Sequence, residues 1–394
     1  MLRLRNPFPR IAGISRCAAG ALLLSLVSVA AQAQVKVGID LSTTGPAATI
    51  GLSSKNAVMM WPKTLGGQPA QYIVLDDASD PGAAVRNLRK LLTEDKVDII
   101  VGPNITPAAL AALDPVAEYK TPMVTLVGSG SVVEPQQGNR VWAFKMAQTD
   151  AAMANVMTHY MADHNVKSVA FIGFADGYGE SWLHEFSRFA ALRQIKLVDV
   201  ERYNRTDTSV TGQVLKAMAA KPDAILIAGA GTPTVLPQKT LVGYGYKGPI
   251  YQTHGIATPE FLKLGGAAVE GTLFPTQPVV VARTLPVDHP VRAAAMAFVK
   301  RYEATYGADS VTQFAGDAAG VYPLLDNAVA QALKTAQPGS EAFRVALRGA
   351  LENIHDLAVP QGFVNTSAKD HVGLDQRASV MGIVRHGQFT YLAD

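Results

Sequence analysis

"VKVGIDLSTTGPAATIGLSSKNAVMMWPKTLGG", Val35 to Gly67, decides the fold. Its first seven residues are a near-continuous apolar run, the pattern of a strand buried on both faces. A loop of Ser, Thr and Gly follows. "GLSSKNAVMMWPKTLGG" then reads as a helix closed by Gly66 and Gly67. A buried strand leading through a polar loop into a helix is the repeating unit of a parallel α/β sheet.

The unit recurs on both sides of a break near residue 150. "QYIVLD" (71–76), "VDIIVG" and "TPMVTLVG" read as further strands, with helices through "AAVRNLRKLLTED" and "PAALAALDPVAEY". Asp80-Pro81 opens the first of these helices as an N-cap followed by proline. Asp77 and Asp80 flank a strand-to-helix turn, where carboxylates cap backbone N–H groups rather than catalyse. The alternation restarts at "VKSVAFIGF" (166–174) and runs through "IKLVDVERY", "DAILIAGA", "PIYQT" and "GTLFP". Residues 289–350 read as mostly helical, and "ASVMGIVRHGQFTYL" as a β-hairpin turning at His386-Gly387. The fold class is α/β, with two units of similar style.

The first residues set the compartment. Arg3, Arg5, Arg10 and Arg16 precede the apolar run "AAGALLLSLVSVAA" and the A-x-A signature Ala31-Gln32-Ala33. This order predicts a signal peptide over 1–33, cleaved after Ala33, and a periplasmic protein. The run is too short to span a bilayer. Cys17, the sole cysteine, precedes it, so no lipid anchor is expected at the cleavage site. The 35 Lys and Arg less those four arginines leave 31 against 32 Asp and Glu. A near-neutral mature chain asks for neither nucleic acid nor an acidic surface. Without cysteine it needs a core large enough to stand alone, and its length suggests two domains.

Catalytic signatures are missing. There is no phosphate loop, no H-E-x-x-H and no G-x-S-x-G, and His184-Glu185 lacks a second histidine. Gly243 to Gly248 matches G-x-G-x-x-G, but it follows a helix and leads into a strand, the reverse of a dinucleotide loop. No metal or other cofactor is expected.

The loops after the strands carry a binding inventory instead. They are "STTGPAATIG", "GPNITPAAL", "VGSGS", "ADGYGES", "GTPT" and "HGIA", rich in Gly, Ser and Thr. Open α/β sheets bind ligands at these carboxyl ends, and helix N-termini there favour an anion. His254 stands at such a strand end, before a glycine, where ligand contact is favoured over core filling.

With these loops, "DDASDPGAAV" (76–85) and "EGTLFP" (270–275), the chain resembles the leucine/isoleucine/valine-type periplasmic solute-binding proteins, the receptors of ABC importers. The resemblance implies a type I periplasmic binding protein fold: two doubly wound parallel-sheet lobes joined by three crossovers. The lobes would hold 34–147 with 277–357, and 148–276 with 358–394. They would close as a hinge on a ligand in the cleft. The implied partners are a small-molecule carboxylate and an inner-membrane permease, and the implied state is a monomer.

The resemblance also assigns residues. Thr106 matches a hydroxyl donor to the ligand carboxylate, and Val127-Gly128-Ser129 match the neighbouring loop. Tyr178 matches a tyrosine that closes over the ligand. Ala230 and Ile50 stand where amino-acid receptors carry aromatics, and His254 where they carry an acid that pairs with the ligand's ammonium. Thr106 could instead cap its helix, Ser129 turn the chain, and Ile50 and Ala230 simply pack. Tyr178, between glycines, is expected on a turn rather than in a core, so that Tyr178→Ala would weaken binding without unfolding. Imidazole suits a carboxylate, hydroxyl or carbonyl better than an ammonium. The expected ligand therefore keeps a carboxylate and lacks an α-amino group. Small residues at Gly229 and Ala230 would admit a flat ring, an aromatic acid. "AGAGTP" with "YQTHG" resembles the aromatic-acid branch of the family more weakly. The alternatives are an amino-acid receptor, a periplasmic sensor subunit and an exported hydrolase.

Overall fold

The computed structural model describes residues 1–4 and 34–393. The apolar run and cleavage site of the expected leader lie outside the described residues.

Two sheets form, as the apolar runs require. In the first, β1 (Val35–Leu41), β2 (Thr64–Leu65), β3 (Gln68–Asp76), β4 (Ile99–Val101), β5 (Met123–Thr125) and β6 (Ala143–Lys145) lie in the order β2-β3-β1-β4-β5-β6. All pairings are parallel except β2 with β3. In the second, β7 (Ser168–Phe174), β8 (Lys196–Tyr203), β9 (Ala224–Ala228), β10 (Ile250–Gln252) and β11 (Leu273–Thr276) run parallel. A small hairpin, β12 (Leu357–Val359) with β13 (Gly362–Val364), precedes β14 (Val380–Arg385) and β15 (Gln388–Tyr391). The last two add antiparallel to β11, giving β15-β14-β11-β10-β9-β7-β8. Strand order reverses beside β1 and beside β7, so each sheet opens a crevice at those carboxyl ends.

The helices Arg292–Tyr306, Gln313–Ala332 and Glu341–Leu351 return to the first sheet. Phe298, Leu325 and Phe343 share one core with Val37, Ile39 and Val101. The second sheet has its own core around Phe171, Trp182, Phe186 and Leu226. The chain crosses between lobes after Lys145 and after Thr276. The third crossing falls later than residue 357. Val359 and Val364 pack in the first lobe's core, as does Val372 against Val132 and Val133, and the chain joins the second sheet only at β14.

Three local expectations need correction. Gly66 and Gly67 do not close the first helix, which runs Ala48–Met59; their positive φ angles turn the β2–β3 hairpin. "PAALAALDPVAEY" forms two helices, Thr106–Ala111 and Leu113–Glu118, because Pro115 cannot donate the bond that would continue the first. The strands β2, β6, β12 and β13, of two or three residues each, add to those read from sequence. The aspartates behave as caps: Asp80 accepts from Ala83 N–H and Asp77 from Ser79 N–H. No helix among the described residues is long and apolar enough to cross a membrane.

Candidate functional site

The carboxyl-end loops of both sheets meet in one cavity. Ile50, Thr106, Val127, Gly128, Tyr178, Ala230 and His254 all line it. Ser129 does not. It is fully buried beside the cavity, capping a short 3-10 turn, and its hydroxyl is bonded to that of Ser131 at 2.7 Å. A larger open groove of about 380 Å³ lies behind the hinge, lined by Val279 to Thr284. No strand-end loop named above reaches it, and its Arg283 is already paired with Glu303 and Asp309.

Each lobe contributes through local geometry. Thr106 opens the helix Thr106–Ala111, but its hydroxyl caps nothing. Across the cleft Gly177 faces it, with Thr106 Cγ2 3.3 Å from the position a Cβ would take. Asp176 caps the helix Gly177–Leu192 by accepting from Tyr178 and Gly179 N–H, which fixes the Tyr178 backbone. Gly128 permits the closest approach in the site. A Cβ there would stand 2.4 Å from Asp150 Oδ1 and 2.8 Å from His254 Nε2.

Tyr178 departs from expectation. It is 5% exposed and packs within the second lobe's core. Its hydroxyl donates to Thr253 Oγ1 at 3.0 Å, and Thr253 donates to Gly229 O. The expected room at Gly229 is also filled. A Cβ there would meet Thr234 Cγ2 at 2.7 Å and the Tyr203 hydroxyl at 2.8 Å.

Sequence reasoning missed the charged wall. Arg205 lines the cavity just beyond β8. Its Nε donates to Asp176 at 2.7 Å and its guanidinium lies 4.2 Å over the Phe174 ring. Its Nη1 is buried and finds no partner among the described residues. Asn104, Gln313 and Asp317 also line the cavity. Asn104 Nδ2, Thr106 Oγ1, His254 Nδ1, Gln313 Oε1 and Asp317 Oδ2 are likewise buried and unpartnered. Buried polar atoms are nearly always satisfied, so these atoms are groups that a ligand or water in the cavity would satisfy.

Behind the wall lies a buried ionic cluster. Lys145 is 1% exposed and donates to Gly128 O at 2.7 Å. Burial pushes its ammonium down to about 8 against the attraction of Asp150 and Asp317. Burial pushes the Asp150 and Asp317 carboxyls up to about 7. Ser181, Asp150 and His254 adjoin, but in an order that excludes a hydrolase triad. Ser181 Oγ donates to Asp150 at 2.6 Å, and the imidazole lies on the carboxylate's far side at 3.9 Å. The imidazole does not contact the Ser181 hydroxyl, the contact a Ser-His-Asp triad requires. Among the described residues no group of three or more His, Cys, Asp or Glu could hold a metal ion.

Burial pushes the His254 imidazole down to about 3, and the Lys145 charge adds to this. The unfolded histidine takes up its proton near 6.5. Stability tied to His254 is therefore present above that pH and lost as pH falls toward 3, at up to about 1.4 kcal/mol per unit. Asp150 and Asp317 act oppositely between about pH 7 and 4, because their folded forms bind protons first. His254→Gln removes only the first effect. Its urea-unfolding free energy should fall less than the parent's between pH 6 and 4. Parallel decline of the two would mean that His254 is not held neutral.

A sequence model of the family described as "Periplasmic binding protein" matches residues 34–388. An extracellular ligand-binding receptor from Rhodopseudomonas palustris HaA2 is 42% identical. The match covers 92% of this chain and 100% of that one, with a TM-score of 0.88. A leucine binding protein, LivK, from Thermotoga maritima is 22% identical, over 91% and 98% of the chains, with a TM-score of 0.77. A solute binding protein of an ABC transporter from R. palustris, solved in complex with benzoate, is 19% identical, over 91% and 96%, with a TM-score of 0.78. The last two share the fold with this chain.

Proposed function

We propose, from the premise that this chain belongs to the periplasmic binding protein family, that it is the receptor of an ABC importer for a small organic carboxylate, best an aromatic acid. The ligand is captured in the interlobe cleft by hinge closure and passed to an inner-membrane permease. The leader read from the sequence suits that location.

One observation carries the ligand class: the unpartnered Arg205 Nη1 in the cavity wall. A guanidinium that is mostly shielded from solvent and keeps a buried free N–H recruits a carboxylate by a charge-assisted bond. His254, held neutral, supports the absence of an ammonium at its position. The cavity as it stands measures about 20 Å³, room for about one water. A ring therefore enters only when the lobes part, and both walls reach it only when they close. An amino-acid receptor is the second reading, and Asp317 favours it as a carboxyl in the same wall.

A thermal-shift panel of leucine, valine, glutamate, benzoate, 4-hydroxybenzoate and coumarate separates the two. At 100 times its dissociation constant a ligand stabilises by about 2.7 kcal/mol. That moves the midpoint by several degrees, at roughly 2–4 °C per kcal/mol for about 150–250 residues. An aromatic acid should shift it and leucine and valine should not. The reverse pattern overturns the aromatic-acid assignment.

A further inference from the structure

Thr253 does not line the cavity, yet three elements that do line it meet on its side chain. It is fully buried, follows β10 and donates its backbone N–H to Ile227 O at 3.3 Å. Its hydroxyl donates to Gly229 O at 2.6 Å, accepts from the Tyr178 hydroxyl at 3.0 Å and accepts from Gly255 N–H at 3.3 Å. The loop after β9 and the turn after β10 are joined a second time, by Gly231 N–H donating to Gly255 O at 2.9 Å. They are also in close contact: a Cβ on Gly255 would stand 2.5 Å from Gly229 O and 2.7 Å from Ala230 Cβ. Tyr178, Ala230 and His254, all in the cavity wall, therefore stand on elements tied to one hydroxyl. The direction of its bonds is forced. A threonine hydroxyl has one proton and two lone pairs, and a carbonyl has no proton to give. At 2.6 Å Gly229 O takes the Thr253 proton, so the contact with Tyr178 takes the Tyr178 proton. Tyr178 is left able to accept from a ligand and unable to donate to it.

We propose that Thr253 is a positioning residue of the binding site: its hydroxyl holds Tyr178, the loop 229–231 and the turn His254–Ile256 in one arrangement, and it commits the Tyr178 proton, so that Tyr178 donates nothing to a ligand carboxylate. This rests on the receptor reading above and deepens it. Valine has nearly the shape of threonine and no hydroxyl. It would leave the buried Gly229 carbonyl without this donor and the Tyr178 hydroxyl without this acceptor, the costly way to lose a hydrogen bond. Serine keeps the hydroxyl and all three bonds. The two variants therefore separate the hydroxyl from the volume it occupies.

Amide hydrogen exchange on the ligand-free mature chain tests the positioning without any ligand. Thr253→Val should speed exchange at Gly231 and Gly255 by at least about tenfold, the effect of losing roughly 1.4 kcal/mol of local protection, and leave the first lobe's strands unchanged. Thr253→Ser should match the parent, and Thr253→Ala covers the case in which the valine variant folds poorly. Unchanged exchange overturns the proposal, as does an even rise over the whole chain or a serine variant no better than valine. Failure of both valine and alanine variants to fold also overturns it, since Thr253 would then serve stability alone. Calorimetric titration with 4-hydroxybenzoate and with leucine, one probe for each reading of the ligand, supplies the second arm. Whichever binds the parent should be weakened at least about tenfold by Thr253→Val and less than about threefold by Thr253→Ser. Tyr178→Phe should keep that affinity within about threefold; a loss beyond tenfold would show that the Tyr178 proton goes to the ligand and overturn its commitment to Thr253. If neither probe binds the parent, the ligand readings above fall and the exchange result alone decides the role of Thr253.

Discussion

Arg205→Met should weaken 4-hydroxybenzoate binding by at least about thirtyfold. Truncating one partner of a buried, hydrogen-bonded charge pair costs about 2–5 kcal/mol, roughly 30- to several-thousandfold. The guanidinium is positioned for that role from three sides. Asp176 accepts from its Nε, Phe174 lies beneath its plane, and Nη1 is left facing the cavity. Methionine keeps much of the apolar contact with Phe174 and removes the charge. Arg205→Lys keeps the charge but loses the planar fork, and should fall between the two. An Arg205→Met affinity within threefold of the parent would show that the carboxylate is held elsewhere. The thermal midpoint of the free variant separates a binding loss from general damage, since Asp176 also caps its helix.

The second large effect falls on stability. Tyr178→Ala should cost about 3–5 kcal/mol of unfolding free energy, the range for removing a large aromatic from a core. Tyr178 packs near Phe174, with ring centroids 6.4 Å apart, and near His254, at 6.2 Å. Deleting the ring opens a void between the helix Gly177–Leu192 and β10, and leaves Thr253 without its donor. Tyr178→Phe keeps the volume and should cost less than about 1.5 kcal/mol. Urea unfolding measures both. An alanine variant within 1 kcal/mol of the parent would place Tyr178 on a mobile turn after all.

The contrast at Tyr178 shows what the sequence could and could not reveal. The glycines on either side suggested a turn, and the residue does begin a helix. Nothing local said that the ring would turn inward, because that depends on Phe174 and Thr253 arriving from other strands. The strands were legible where they are long and apolar: β1, β7 and β9 are buried over nearly their whole length. β2 and β6 were not, because two or three residues carry no periodicity.

The same logic separates the candidates that line the cavity from the lining residues that the sequence did not single out. Seven of eight candidates line one cavity because strand-end loops converge by topology, and topology followed from the strand order. Arg205 escaped because it follows β8, a partly exposed edge strand, in the polar stretch "NRTDTS", which reads as a solvent loop. Asp317 and Lys145 did carry a signal. Each is a lone charge in an apolar stretch, "FAGDAAG" and "VWAFKMA", and a lone charge on a buried face needs a partner. Ser129 was misplaced for the opposite reason. Its hydroxyl had a neighbour two residues away, Ser131, and local bonding won.

A crystal structure of the mature chain grown with 4-hydroxybenzoate tests the central claim most directly. The account predicts the ring between the lobes beside Tyr178 and His254, with its carboxylate on Arg205 Nη1 and the Thr106 hydroxyl. A ligand bound to one lobe's outer surface or in the groove behind the hinge, with the cleft residues unengaged, would contradict it.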